Sequence, residues 1–315
     1  MSAQAGGGPR VTAIVPSWNG RDMLDLILPT LEGERVLVVD NGSTDGSVEH
    51  VRDAYPWVEL LALPANVGFA PAVNAGIAAA DTEYVALLNN DMTVEPGCLE
   101  ALARALDSHP EAGSATAKML MLREPGVVDG AGDTLTWFGG PWRRGHGTPD
   151  DGRWDEPGEV LSACGGAALY RRTALDAVGP FDDSFFAYLE DVDWGVRAQL
   201  QGWRCRYVPS AVVNHLGGAT SKRMGQLEAY LIHRNLIALV LKTFPPRRLA
   251  LLAPVLLAYQ AWLLAQGIRA GRGRTVLRAW RDAGRRLPST LRARREVQSR
   301  RTSDLRHALT WRPSE

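Results

Sequence analysis

The feature that most narrows what this chain can fold into is a rhythm in its N-terminal part. Apolar runs at residues 11–18, 35–40, 58–63 and 84–88 alternate with stretches of helical spacing at 22–32, after a turn at 41–47, and at 68–80. Strand and helix in strict alternation predict an α/β fold with a parallel, doubly wound sheet. Tyr84-Val-Ala-Leu-Leu88 has the apolar, β-rich composition of a strand covered on both faces, and it runs straight into Asn89-Asn90-Asp91. In such sheets the ligand crevice lies at the carboxyl ends of the strands. Pro16-Ser17-Trp18-Asn19, Asp40-Asn41, Asn66-Val67-Gly68-Phe69 and Asn89-Asn90-Asp91 are therefore expected on one rim. Two bland alternatives compete: Asp91 capping a helix over 93–106, and Asp40 serving as an Asx-turn residue ahead of Gly42.

Beyond Ser108 the pattern changes. Strand-like pieces at 115–122 and 127–138 precede a stretch at 139–158 rich in Gly, Pro, Asp and Trp. It is long for a connection and reads as a lid or acceptor loop, with Trp137, Trp142 and Trp154 available either for stacking on sugar faces or for packing. Helices are expected at 171–178, stopped by Gly179-Pro180, and at 190–201, stopped by Gly202; a last strand at 204–213 leads to His215. The sequence thus divides into a lead-in at 1–9, expected to be disordered and without a signal peptide's apolar core, and a catalytic domain at 10–224. That domain splits at residue 108 into a nucleotide-binding half (10–108) and an acceptor half (109–224).

A formal net charge of zero conceals a polar division: from Arg247 onward there are 16 arginines against 4 acidic residues, and the body carries 19 basic against 31 acidic. Residues 226–242 read as an amphipathic helix broken by Pro245-Pro246, and 249–268 contain no charged side chain. That run approaches bilayer-spanning length, but Pro254, Gln260 and Gln266 favour a helix lying in the interface, flanked by Arg247, Arg248 and the arginines from Arg269 on. The extension at 225–287 is accordingly expected to contact a membrane surface and 288–315 to form a basic tail; the alternative is a helix packed on the domain with a solvated tail. The arginines are not interleaved with stacking aromatics, so no nucleic-acid partner is expected. Cys98, Cys164 and Cys205 lack metal-ligand spacing and fit reduced, intracellular thiols.

Five ordered motifs carry a family resemblance. They are Val15-Pro-Ser-Trp-Asn19; Val38-Val-Asp-Asn-Gly-Ser-Thr-Asp-Gly-Ser47; Asn66-Val-Gly-Phe-Ala70 with Asn74 and Gly76; Leu88-Asn-Asn-Asp91; and Glu190-Asp-Val-Asp-Trp194 with Arg197 and Gly202. Over about residues 10–240 the chain resembles family 2 glycosyltransferases, and within them the bacterial rhamnosyltransferase-like branch. The resemblance implies a GT-A fold, a nucleotide-diphospho-sugar donor, Mg²⁺ or Mn²⁺, and inversion at the anomeric carbon. It implies that Asp40 binds the nucleobase beside the backbone of Pro16 and Ser17, with Asn19, Asn41, Asn66, Gly68, Asn74, Asn89 and Asn90 on the donor side. Asp91 would be the last position of the family's metal-binding Asp-x-Asp and His215 a further metal ligand. Asp191 would be the general base, with Gly165, Gly166, Glu190, Asp193 and Trp194 on the acceptor side. The chain departs from the pattern at Asn89, which stands where the first carboxylate would be; less charge predicts that metal binds mainly together with the nucleotide.

The residues support the same roles on their own terms. Inversion by direct displacement needs one carboxylate to take the acceptor hydroxyl's proton, and Asp191 at a helix N-terminus suits that task. The bland alternative is an acidic first turn stabilising its own helix. The expected activity is transfer of a sugar, with dTDP-rhamnose the best guess for the donor. The acceptor would be a saccharide or lipid-linked glycan of the cell envelope, at the cytoplasmic face of the cell membrane. The competing reading is a catalytically silent nucleotide-sugar-binding or scaffold subunit. A nucleotidyltransferase is disfavoured because the N-terminus lacks a Gly-rich, basic phosphate-gripping loop.

Overall fold

A computed structural model of the chain describes residues 8–217, 225–306 and 308–311. Most of the expected lead-in, residues 1–7, and the last residues of the expected tail, 312–315, lie outside the described residues.

The N-terminal half follows its rhythm: β1 (Val11–Ser17), α1 (Arg21–Ile27) continued by a 3₁₀ turn, β2 (Arg35–Asp40), α2 (Ser47–Ala54), β3 (Glu59–Ala62), α3 (Phe69–Ala79) and β4 (Tyr84–Leu88). These strands pair in parallel in the order β3-β2-β1-β4, and all five residues of β4 are buried. The helix expected over 93–106 starts late. Met92–Val94 is a short strand, β5, with Met92 and Val94 buried on one face, and α4 runs Cys98–Ser108. Pro96 is the cause, since the residue before a proline is pushed out of helical geometry.

The second half comprises β6 (Ala112–Met121), β7 (Val127–Gly130), β8 (Asp133–Thr136), β9 (Pro141–Arg143), β10 (Thr148–Pro149), β11 (Gly158–Val160), β12 (Ala167–Arg171), α5 (Arg172–Val178), α6 (Glu190–Leu200) and β13 (Arg204–His215). Besides short strands such as β5, β9, β10 and β11, the sequence reading lacks β12, which inserts antiparallel between β4 and β6. The sheet is therefore mixed, parallel in its first half and largely antiparallel in its second. The single run expected at 127–138 breaks at Ala131-Gly132, and β7 and β8 belong to different sheets. The 139–158 stretch is more structured than a free lid. Arg144 stacks over Trp154 at 5.4 Å, Trp154 Nε1 donates to Thr148 Oγ1 at 2.9 Å, and Trp137 stacks on Trp311 at 5.7 Å.

The C-terminal extension contributes α7 (Gln226–Thr243), α8 (Pro246–Arg269), α9 (Gly273–Arg285), α10 (Leu287–Ser299) and β14 (Leu309–Thr310), the last pairing in parallel with β8. Phe244, Leu239 and Leu305 share one apolar cluster with Phe185, Val192 and Val196. Arg294 and Gln298 of α10 donate to the last carbonyls of α7, the groups a helix leaves unsatisfied. The segment expected as a basic tail is thus largely folded against the body.

Candidate active site

Strand register brings the chemistry together. Because β12 is antiparallel to β4 with Ala167 opposite Leu88, the residues preceding β12, Gly165 and Gly166, lie beside those following β4; Asn89 N–H donates to Gly166 O at 2.9 Å. Because β13 pairs with β5 with His215 opposite Met92, His215 lies beside Asp91, and Leu216 N–H donates to Asp91 O at 2.8 Å. Pairing of β7 with β6 brings Asp129 to the same corner. Asn89, Asp91, Gly165, Gly166 and His215, together with the ends of β1 and β2, line a cleft of about 540 Å³, with Asp129 behind His215.

On one side of the cleft Pro16, Ser17, Asn41, Asn66, Gly68 and Asn90 are present as expected. Asn90 Nδ2 donates to Ser17 Oγ at 3.0 Å, and Asn41 ties its own loop to the next through Gly68 O (3.0 Å) and Val67 N–H (2.9 Å). Gly68 is required: at φ 102° it lets the chain pass where a Cβ would come within 2.6 Å of the Phe186 ring. Asp40 does not line the cleft. It is buried at the end of β2, with Oδ2 accepting from Ser43 N–H at 2.9 Å and Oδ1 left without a partner. Asn19 is a tie between loops, accepting from Thr44 N–H at 2.7 Å. Asn74, expected on the donor side, instead grips the far half of the domain through Phe181 O (2.8 Å) and Asp183 Oδ1 (2.7 Å).

At the second station, Asp91 Oδ1 lies 3.1 Å from His215 Nε2, and Asp129 Oδ2 lies 2.8 Å from His215 Nδ1. Burial works against the imidazolium, but the hydrogen bonds and charges of Asp129 and Asp91 outweigh it and lift His215 to about 9. Asp129 also meets Arg143 Nη1 at 3.0 Å and His146 Nδ1 at 3.1 Å. A carboxylate fixing one ring nitrogen while the other is aimed at a second carboxylate is the arrangement in which histidine ligates a metal. Asp91 and His215 fit a divalent cation on that ground.

At the third station Asp191 Oδ2 accepts from Gly165 N–H at 2.9 Å and Oδ1 from Val192 N–H at 2.8 Å. A Cβ at Gly165 would stand 3.0 Å from that of Asp191, so a side chain there would press directly on the Asp191 carboxylate. Burial, and then the charge of Asp191, push the neighbouring Glu190 well above the usual carboxyl range. Asp193 and Trp194, expected on the acceptor side, face the core. Asp193 pairs with Arg197 (2.8 Å) and Lys242 (2.7 Å), while Trp194 packs against Tyr170 and Phe181 and donates to Gly179 O at 3.0 Å. Of the three loop tryptophans only Trp142, 42% exposed, lines the cleft.

Sequence reasoning missed Asp129, Asp133 and Arg143. The signal was the run Val128-Asp129-Gly-Ala-Gly-Asp133, in which two carboxylates bracket glycines. Donor atoms of Asp133, Cys164 and Asp191 lie within 4.8 Å of one another. Burial holds the thiol up at about 12, so a cation at this group would first have to displace that proton. Burial, reinforced by Asp191, raises Asp133 to about 8. A carboxyl raised in the folded state holds its proton more tightly there, so its contribution to stability is present at low pH and is lost as pH rises from near 4 to about 8. Asp133→Asn should remove that loss. Unfolding free energies from denaturant titrations at pH 5 and pH 8 should differ less than in the wild type, by on the order of a few kcal/mol. Identical pH dependence of the two proteins would show that Asp133 ionises normally.

The family model described as glycosyl transferase family 2 matches residues 12–179. An N-acetylglucosaminyl-diphospho-decaprenol L-rhamnosyltransferase of Mycobacterium tuberculosis is 34% identical over 218 residues, 62% of this chain and 70% of that protein. Among solved structures, S. aureus TarS in complex with UDP-GlcNAc superimposes with a TM-score of 0.58 at 19% identity, covering 94% of this chain and 85% of that one. The mannosyltransferase PcManGT from Pyrobaculum calidifontis, in complex with GDP-Man and Mn²⁺, gives 0.55 at 18% identity, covering 93% and 86%. At such identities the structural likeness speaks to the GT-A fold. Some structures of this fold are longer, and the chain spans 47% of one of them.

Proposed function

The chain belongs to glycosyl transferase family 2, and we propose that within it the protein is a metal-dependent inverting transferase acting on a lipid-linked saccharide, with rhamnose from dTDP-rhamnose the sugar moved. The observation that carries this reading is the cleft itself. Asp191, fixed by two backbone N–H groups, and the Asp91–His215 pair open onto one space.

Asp191 takes the proton of the acceptor hydroxyl as that oxygen bonds to the anomeric carbon. The bond from that carbon to the diphosphate oxygen breaks on the opposite face, and its electron pair leaves with the diphosphate. Glu190 and Asp133 hold their protons and do not compete for this one. Asp91 and His215 would hold Mg²⁺ or Mn²⁺, with Asp129 keeping Nε2 aimed at the site; when bound, the ion supplies charge stabilisation to the departing diphosphate. The unpartnered Oδ1 of Asp40, beside Ser17 in the β1–β2 register, supports recognition of a nucleobase N–H. The relative's lipid-linked acceptor supports the same class here.

Membrane contact belongs to this reading. Among the described residues α8 is the helix long and apolar enough to cross a bilayer, by length and composition. One side of it docks on the body through Leu252, Leu256 and Tyr259, whose ring lies 4.9 Å from Phe138. The other side exposes Leu251 (80%), Leu257 (70%) and Ile268 (61%). A helix held along one flank favours lying in the interface over spanning, and on this reading the enzyme works peripherally on the inner face of the cell membrane.

A single experiment tests both parts. With anionic vesicles carrying a lipid-linked N-acetylglucosamine, dTDP-rhamnose and Mg²⁺ or Mn²⁺, we expect glycosylated lipid and metal-dependent release of nucleoside diphosphate. Leu251→Ser, Leu257→Ser and Ile268→Ser together should take the protein out of the vesicle pellet. Absence of turnover across a panel of nucleotide sugars would sink the catalytic reading, and unchanged sedimentation of the triple variant the membrane one. Deleting residues 247–315 is a poorer test, because it also removes the side chains that hold α7 and β8.

A further inference from the structure

The backbone that delivers Glu190 and Asp191 is strained. Phe186 (φ 66°), Tyr188 (φ 67°) and Leu189 (φ 68°) all occupy the left-handed region, which L-residues avoid. Such conformations persist only where the surroundings over-determine them. Ala70 N–H of α3 donates to Phe186 O at 3.1 Å, and α7 supplies further restraint. Asn235 Nδ2 donates to the carbonyls of Phe185 (3.0 Å), Ala187 (2.9 Å) and Tyr188 (2.8 Å). Arg234 Nη2 donates to Ser184 O (3.0 Å) and Phe185 O (2.8 Å). The same guanidinium, through Nε and Nη2, binds Asn235 Oδ1 at 3.0 and 2.8 Å, which sets the amide so that its NH₂ faces the turn. Both side chains are buried. Two turns further along, Lys242 Nζ reaches Asp193 at 2.7 Å and Asp182 at 2.5 Å, tying down α6 itself.

We infer that Asn235, with its amide oriented by Arg234, is a positioning residue for the general base: it holds the 185–188 turn in the conformation that aims Asp191 into the cleft. The inference rests on the reading of Asp191 as the base. The family match ends at residue 179, before Asp191 and His215, and the inference extends the catalytic apparatus further, onto the helix that begins the C-terminal extension. Neither residue lines the active cleft, and neither touches the donor side. What they govern is the path of four residues, Phe186 to Leu189, that do line it.

The test is a split between turnover and binding. Asn235→Ala removes the three hydrogen bonds that Asn235 makes to the turn, and a displacement of about 1 Å at a reacting group costs on the order of 100-fold in rate. We expect kcat for transfer to fall by about that factor while the Kd for nucleoside diphosphate stays within about twofold. Arg234→Lys keeps the buried charge but loses the fork that orients the amide, and is expected to lower kcat by about 10-fold. It also decides the matter should Asn235→Ala not fold. The inference is overturned if a folded variant keeps wild-type kcat, or if kcat and nucleotide affinity fall in step, as a general loosening would produce. Asp191→Asn run alongside separates the two readings. Full transfer in that variant removes the base assignment, whereas its loss beside a normal Asn235→Ala removes the positioning role alone.

Discussion

Asp191→Asn is expected to lower sugar transfer by about 10²- to 10⁴-fold, the range assigned to a positioned general base. The amide keeps the shape of the side chain and can still accept one of the two N–H bonds from Gly165 and Val192. Ser17, Asn41 and Asn90, the residues proposed for the donor, line the cleft apart from Asp191, so affinity for nucleoside diphosphate should be nearly unchanged. Chromatographic measurement of product against a calorimetric Kd separates the two quantities. The magnitude depends on there being no understudy. Glu190 and Asp133 are raised and hold their protons, and Asp193 is enclosed by Arg197 and Lys242. A variant transferring at the wild-type rate would mean that the base has been misassigned.

What could be read from the sequence depended on whether a residue's role is local. The four parallel strands and the polar residues at their ends are set by short-range pattern, and the rim they form was legible. The apolar run at 84–88 stands as the buried β4, and Asn89, Asn90 and Asp91 line the cleft behind it. The strand β12 was not legible, because Ala167-Ala-Leu-Tyr-Arg171 is short and carries little β-specific composition; its place between β4 and β6 is decided by tertiary pairing. The same holds for Asn74, Asp193 and Trp194. Motif position put them at the site, yet side-chain direction on α3 and α6 sends them into ties and core packing. Asp129 enters the site only because β7 folds back on β6, a contact 86 residues distant in sequence from His215. Arg234 and Asn235 act through carbonyls some 50 residues away. Sequence periodicity carries no information about such contacts.

The metal station yields the other large effect. Asp91→Asn should lower kcat/KM by roughly 10²- to 10³-fold, since it removes the negatively charged ligand from a pair whose partner, His215, must give up its proton to bind a cation as neutral imidazole. Asn89 leaves this station one carboxylate short of an Asp-x-Asp, so the diphosphate itself must supply part of the ligand field. Calorimetry should therefore detect Mn²⁺ binding chiefly when nucleoside diphosphate is present, and chelation by EDTA should abolish both binding and transfer. Graded losses follow from the geometry. His215→Ala removes one ligand, whereas Asp129→Asn leaves both ligands in place and loosens only the ring that Asp129 orients at 2.8 Å, an outer contact of a kind worth about 10- to 100-fold in metal affinity. Asp91→Asn should thus be the most damaging of the three in nucleotide-dependent Mn²⁺ binding. Tight Mn²⁺ binding to the nucleotide-free wild type, or wild-type affinity in Asp91→Asn, would place the cation elsewhere in the cleft.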